Sequence, residues 1–247
     1  NSSFTGEFIE SELHKAGIKT DFVSVNGITR INVFAHVVAN NEEFKLVNQG
    51  PTVTAKEELQ LLSIIDTLSS EDTLFVSGSH PLGIEKNTYE KIAEASLRNG
   101  FKLILDTSAN FVPELLKFHP YLIKPNDEEL ASWFGLKNLS LEQIKKYGNK
   151  LLQQGAKNVL VSLGEKGAIL ITPTETIHVS APIGNVVNTA CAGDTLLATF
   201  VGCQMQGMSK EDSLIKAVAA GTSTAFRPGL TDFSDVPILI KQIKRLY

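Results

Sequence analysis

The chain has 247 residues, of which 43% are hydrophobic and 20% charged, with a formal net charge of −4. That composition suits one large globular core, argues against a disordered chain, and gives no electrostatic reason to expect nucleic acid. No apolar run approaches the length of a bilayer span, and no cationic, apolar leader opens the sequence, so a cytoplasmic protein without membrane partners is expected.

Residues 8–16 read as a short amphipathic helix that stops at Gly17. DFVSVNG reads as an extended segment with an Asn26-Gly27 turn, and TRINVFAHVVANNEEFKLVNQG as two strands around Asn40-Asn41. Beyond Gly50 helix and strand alternate, which predicts a mainly parallel sheet covered on both faces. Helices are predicted over residues 57–68, 89–99, 127–134, 141–154, 210–226 and 236–246. Strands are predicted in TLFVSGS, KLILDTS, PYLIKPN, NVLVSLG and AILIT, and the β-branched run before NTACAGD reads as another. The expected fold is α/β: a Rossmann-like three-layer αβα core with a mainly parallel sheet, plus a small β-rich portion near the N-terminus.

The ends and the cysteines add little chemistry. The chain opens at Asn1, its only methionines are Met205 and Met208, and FTGEFIESELHKAGI reads as the middle of an α/β unit, so a missing N-terminal segment is expected. Cys191 and Cys203 belong to no CxxC or Cys/His cluster, and the histidines are scattered, so neither a disulfide framework nor a zinc site is indicated.

In α/β sheets ligands sit outside the carboxyl ends of the strands, and VSGS, LDTS, IKPN and VSLG all fall at such exits. The most informative segment is VVNTACAGDTLLATF. Leu196, Leu197, Phe200 and Val201 recur there at helical spacing, with Asp194 in the first turn. The first amides of a helix lack intrahelical acceptors and carry about half a positive charge, so they suit a transferring phosphoryl group. Asp194 is placed to remove a proton beside that anion site. The structural alternative is a well-capped helix.

Other segments carry the same double reading. Arg30 in TRINV is either a solvated strand residue or a guanidinium for a sugar phosphate. VSGSHPLG offers Ser77, Gly78 and Ser79 at a strand exit, but Ile84-Glu85 stand where a Walker A motif needs Lys and Ser or Thr. In IKPNDEEL, Asn126 and Glu129 form a helix-capping box or position the water ligands of Mg²⁺. VSLGEKGAILI is a β-turn-β unit opened by Gly164 and Gly167, which by itself is a tight hairpin. No GxGxxG precedes a helix, so a dinucleotide fold lacks its fingerprint.

Taken in order, TRINV, SGSxPxG, KPNxxE, SLGEKG and NTACAGD resemble the ribokinase-like, PfkB-type carbohydrate kinases. With TGEFI, GIKTDFV, LDTS and LIKPNDEEL, the chain looks most like the 1-phosphofructokinase and tagatose-6-phosphate kinase branch. The resemblance implies Asp194 as catalytic base in the turn of Cys191, Ala192 and Gly193, with the amides of Ala192 and Gly193 stabilising phosphoryl charge as an anion hole. It implies Arg30 and Asn32 on the phosphorylated sugar, and Ser77, Gly78 and Ser79 near it. Lys124 and Asn126 are then assigned to the nucleotide phosphates, Glu129 to magnesium, and Ser162, Gly164 and Gly167 to the nucleotide. ATP and Mg²⁺ are the implied cofactors.

The implied reaction phosphorylates a ketohexose monophosphate to a bisphosphate, with fructose 1-phosphate favoured and tagatose 6-phosphate as the alternative. The chain would be one kinase domain over residues 1–247, with residues 21–50 as a partial β lid through which relatives form homodimers. Family members begin with a strand bearing a sugar-binding Asp and then a GGKGxN motif; neither occurs here. Cys191 also replaces the usual Gly. It is either a thiol acidified at a helix N-terminus or, more plainly, a small residue tolerated in the turn. A nonenzymatic sugar-phosphate or nucleotide sensor and a Rossmann oxidoreductase are the competing readings.

Overall fold

The computed structural model describes residues 3–37 and 42–246; the expected Asn40-Asn41 turn lies outside them. In chain order the elements begin with α1 (Phe4–Lys15), β1 (Val33–Val37), β2 (Glu42–Leu46), α2 (Ala55–Ile65), β3 (Thr73–Ser77) and α3 (Lys86–Asn99). Then follow β4 (Lys102–Asp106), α4 (Val112–Leu115), β5 (Leu122–Ile123), α5 (Asp127–Trp133), α6 (Leu141–Gln153) and β6 (Val159–Ser162). The last are β7 (Ala168–Ile171), β8 (Thr176–Val179), α7 (Ala192–Met205), α8 (Lys210–Ala225), α9 (Val236–Ile240) and β9 (Arg245–Leu246). They group into two compact units, Asn1–Asp72 with Ser79–Phe101, and Thr73–Gly78 with Lys102–Tyr247.

The second unit is built on a seven-stranded sheet of order β3-β4-β5-β6-β7-β8-β9. β3 to β6 run parallel, and β6 to β9 pair antiparallel. The change falls at β6 because residues 163–167 are too short a link for a crossover and allow only a hairpin. Leu160, Leu170, Ile177 and Val179 pack against Leu196, Leu197, Phe200 and Val201 of α7 and Leu214 and Val218 of α8. The alternate strand residues Leu103, Leu105, Ile169 and Ile171 are equally buried on the opposite face, where Gly148 of α6 lies against Ile171. Apolar residues at both strand parities therefore mark a sheet covered on two sides, as the alternating sequence pattern implied. Each fully buried Leu or Ile contributes about 1.5–3 kcal/mol of transfer energy.

The first unit contains the β1-β2 ribbon, paired antiparallel from Val33 opposite Leu46 to Val37 opposite Glu42. It also holds the α2-α3 pair, where Glu58 accepts from Thr88 at 2.9 Å and from Lys91 at 3.0 Å. Helix α1 starts earlier than its apolar pattern suggested because the Ser3 side chain caps it through the Gly6 amide.

Several expectations need correction. The β-branched run before NTACAGD is not a strand: Val186 and Val187 are exposed, and the amides of Val187 and Asn188 donate to Ala225 O at 2.8 and 3.1 Å. The helix expected over 236–246 ends at Ile240, since β8 offers a free edge that Arg245 and Leu246 pair with. The strand TIHV, set between β7 and β9, has no counterpart among the expected strands. Residues 18–32 form no strand, so DFVSVNG is irregular rather than part of a sheet, and Arg30 precedes β1 rather than lying in it. Among the described residues no helix is long and apolar enough to cross a membrane.

Candidate active site

Two strand ends of the second unit place a buried ion pair beneath the start of α7. Asp106 is the last residue of β4, and Lys124 follows β5, its amide donating to Leu105 O at 3.0 Å. Their side chains meet with Lys124 Nζ 2.9 Å from Asp106 Oδ1, only 8% and 13% exposed. Burial pushes the Asp106 carboxyl up against the pull of Lys124, and the nearby charges of Asp194 and Glu129 add to the rise. A Cβ built on Gly193 would sit 3.4 Å from Lys124 Nζ. The ammonium thus lies directly under the first turn of α7, whose own end is positive. One carboxylate partner leaves that concentration of positive potential fit for a further anion.

The turn itself is organised by left-handed backbone at Cys191, φ 62° and ψ 2°, which caps α7. The Ala192 amide reaches Thr189 O at 3.3 Å and that of Thr195 donates to Cys191 O at 2.9 Å. Among the described residues the amides of Gly193 and Asp194 have no protein acceptor, as first-turn donors of a helix do not. The free pair is therefore Gly193 and Asp194 rather than the expected Ala192 and Gly193. Asp194 is exposed in the same turn. The Cys191 thiol is not acidified: its surroundings and the adjacent Asp194 carboxylate push it up.

Asn126, Ser162, Gly164, Gly167, Ala192 and Gly193 line one cleft of about 690 Å³ in the second unit. Ser162 is brought to Asn126 by a parallel bridge and by its amide N–H, which donates to Pro125 O at 3.1 Å. Gly167, φ 92°, closes the 163–167 turn so tightly that a Cβ would meet Val179 O at 2.0 Å. The far wall is apolar, with Ile183, Val186, Val218 and Phe226, a surface suited to a flat heterocycle. Asn126 and Glu129 cap each other, Asn126 N–H donating to Glu129 Oε2 at 2.9 Å and Glu129 N–H to Asn126 Oδ1 at 2.7 Å.

Ser77 pairs in register with Asp106, and the Gly78 amide donates to Asp106 O at 2.9 Å, so both lie at the same sheet edge as the ion pair. Ser79, Arg30 and Asn32 belong to the first unit. There Arg30 and Asn32 line a groove of about 570 Å³ with Phe4, Phe8 and Ile31, and Asn32 Oδ1 accepts the Asn48 amide at 3.2 Å. Sequence reading passed over Asp106, whose signal was an acid closing the otherwise apolar strand KLILD. It also missed the apolar wall, which comes from loop and helix residues without a motif.

A mixed α/β sheet with free amides above a lysine, an acid in the same helical turn and an adjoining apolar cleft suits the class of phosphoryl-transfer enzymes. Residues 2–237 match the family described as pfkB family carbohydrate kinase. The chain belongs to that family and is a sugar-phosphate kinase. It is 45% identical over 242 residues to D-tagatose-1-phosphate kinase of Bacillus licheniformis, covering 98% of this chain and 79% of the relative. It is 36% identical over 242 residues to 1-phosphofructokinase of Borreliella burgdorferi, with 98% and 78% covered. The phosphofructokinase-2 of Escherichia coli in complex with substrates and products superposes with a TM-score of 0.90 at 26% identity, over 97% of this chain and 79% of that one.

Proposed function

We propose that the chain transfers the γ-phosphoryl group of ATP to a free hydroxyl of a ketohexose 1-phosphate, with fructose 1-phosphate preferred, giving a bisphosphate and ADP. The observation that carries this reading is the pair of unpartnered amides at Gly193 and Asp194, with Lys124 beneath them and the Asp194 carboxylate in the same turn. The acceptor oxygen forms a bond to the γ phosphorus, the bond to the ADP oxygen breaks, and the hydroxyl proton passes to Asp194. General-base help of this kind gives about 10² to 10⁴ in rate, and the amides stabilise charge on the phosphoryl oxygens.

The cleft residues Ser162, Gly164 and Gly167 are assigned to the nucleotide, Lys124 and Asn126 to its phosphates, and Ala192 and Cys191 to the turn that shapes the anion hole. Among the described residues no three His, Cys, Asp or Glu side chains converge to hold a metal unaided. Asp194 and Glu129 each lie within electrostatic reach of Asp106, which fits a hydrated Mg²⁺ held mainly by phosphates and water. Glu129, with Asn126, would orient that water, and the ion supplies neutralisation of phosphate charge. Arg30 and Asn32 are assigned to the phosphorylated sugar, and Ser77, Gly78 and Ser79 to its hydroxyls, in one cytoplasmic kinase domain spanning the chain.

Tagatose 1-phosphate is the second reading, favoured by the name of the relative that is 45% identical. Tagatose 6-phosphate is not favoured, since both curated relatives are named for 1-phosphate substrates. The test is Mg²⁺-dependent ADP release with each of these sugars, with fructose 6-phosphate, and with none. The highest kcat/KM is expected with fructose 1-phosphate. A preference for tagatose 1-phosphate selects the second reading, and turnover confined to 6-phosphates overturns both.

Residues 21–50 are proposed as a partial β lid that pairs with a second copy. Val33, Ala35, Val37, Phe44 and Leu46 share one face of the ribbon by register, and all are exposed. Such an apolar face favours association. A monomer by sedimentation at micromolar concentration would remove this assignment.

A further inference from the structure

Among the non-glycine residues of the second unit with left-handed backbone are Cys191 and Phe233, with φ of 62° and 64°. A side chain makes that conformation costly, so the surrounding structure must enforce it. A chain of hydroxyl groups reaches both. Thr195 Oγ1 donates to Cys191 O at 2.9 Å and lies 3.1 Å from Thr224 Oγ1, which accepts the Thr231 amide at 3.2 Å. Each hydroxyl has one proton to give. Because the Thr195 proton goes to the Cys191 carbonyl, Thr224 must donate to Thr195, and the polarity of the chain is fixed from Thr231 to the active-site turn.

Thr231 also starts a second branch. Its Oγ1 accepts the Phe233 amide at 2.9 Å and is 2.6 Å from Ser223 Oγ, which donates to Asp235 Oδ1 at 2.5 Å. By the same count Thr231 donates to Ser223. Asp235 Oδ1 is 3.0 Å from Arg227 Nη2, and Arg227 also pairs with Asp232. Thr224 and Ser223 are 2% and 0% exposed. Solvent cannot replace a lost partner at such depth, so deleting either hydroxyl leaves its neighbours unpaired.

We propose that Thr224 is a positioning residue for phosphoryl transfer, its hydroxyl tying the 191–194 turn to the last turn of α8 and to the 227–235 loop. This rests on the reading of that turn as the anion hole and base. The tether from the Val187 and Asn188 amides to Ala225 O uses backbone alone, so a side-chain change at Thr224 releases only the hydroxyl link. The free amides of Gly193 and Asp194 then lose their fixed aim, and a displacement of about 1 Å at such a site costs about a hundredfold in rate.

The test compares Thr224→Val, Thr224→Ser and Ser223→Ala by steady-state kinetics and by the rate at which a maleimide labels Cys191. The exposed Cys191 reports the turn, and the buried Cys203 reports general unfolding. Thr224→Val is expected to label Cys191 several-fold faster with Cys203 protected, and to lose at least about tenfold in kcat with KM for ATP held within about twofold. Thr224→Ser is expected to restore both, and Ser223→Ala to leave kcat near native. Native labelling and native kcat in Thr224→Val overturn the proposal, as does an equal loss of kcat in Ser223→Ala. If Thr224→Val exposes Cys203, Thr195→Val cuts the same chain from the α7 side and takes its place. Asp194→Asn at full turnover would sink the assignment of the base, while the labelling result would still decide the role of Thr224.

Discussion

The second unit and the α1-to-β2 stretch of the first use their apolar residues in opposite ways, although α3 of the first unit does bury Tyr89, Ile92 and Ala93. In the second, Leu160, Leu170, Ile169 and Ile171 are buried to 1% exposure or less, and α7 and α8 close one face of the sheet. In the first, α1 buries no residue at all, Phe4 and Phe8 are 70% and 64% exposed, and the ribbon shows Phe44 and Leu46. The half carrying the apolar cleft and the Asp194 turn is therefore held by its own core. Arg30 and Asn32 sit on a scaffold whose apolar surface calls for a cover, which is the physical ground for assigning it to a second copy.

The sharpest way to break this contrast is kinetic. Asp194→Asn should lower kcat by about 10² to 10⁴ without changing the melting temperature, because the side chain is exposed and supports no packing. Arg30→Ala should instead raise KM for the sugar phosphate about tenfold, the value of one charge-assisted contact, and spare kcat. Equal effects on kcat from both would dissolve the division of labour. Next in size is packing: Leu170→Ala should cost about 2–5 kcal/mol, whereas Phe8→Ala should stay within about 0.5 kcal/mol in the monomeric chain. Comparable denaturation midpoints for the two would show that α1 contributes as much packing as the sheet of the second unit.

Two smaller effects sharpen the picture of the second unit. Cys191→Gly relieves a left-handed Cβ and should stabilise the chain by about 0.5–1 kcal/mol, a rise of about 2 °C in Tm; a fall would mean that the thiol has a structural partner worth more than the strain. His178 on β8 is buried, with neither ring nitrogen in a well-formed hydrogen bond among the described residues, and burial outweighs the pull of the Lys166 backbone on its charged form. Burial holds its imidazole below the usual histidine value. The unfolded chain therefore binds a proton near pH 6.5 that the folded chain refuses. Its contribution is intact above about pH 6.5 and is lost as pH falls toward the lower folded value. The gap in Tm between wild type and His178→Leu should shift across that range, and a constant gap would clear His178 of any acid sensitivity.

How much was legible varied with the range of the interactions. The helix expected over 141–154 formed at 141–153, burying Ile144, Gly148 and Leu151 at helical spacing, and the Asn126/Glu129 box appeared at the helix mouth with both reciprocal bonds. The failures lie where a long-range partner decided the outcome. Val186 and Val187 have strand-forming side chains, but the neighbouring backbone acceptor is Ala225 O rather than a strand. KRLY continues an apolar helical pattern, yet the free edge of β8 recruits Arg245 and Leu246.

The sequence by itself determined the alternation of helix and strand, the strand-end positions of Lys124, Asn126 and Ser162, and the acid in the first turn of α7. Periodicity, capping and turn chemistry act over a few residues and so are written locally. Tertiary structure alone decided that Asp106 holds Lys124 under Gly193, that the Gly193 and Asp194 amides are the unpartnered pair, and that Thr224 secures the turn at Cys191. Those depend on which side chains meet across strands and helices far apart in the chain, and on the direction in which each buried hydroxyl must spend its single proton.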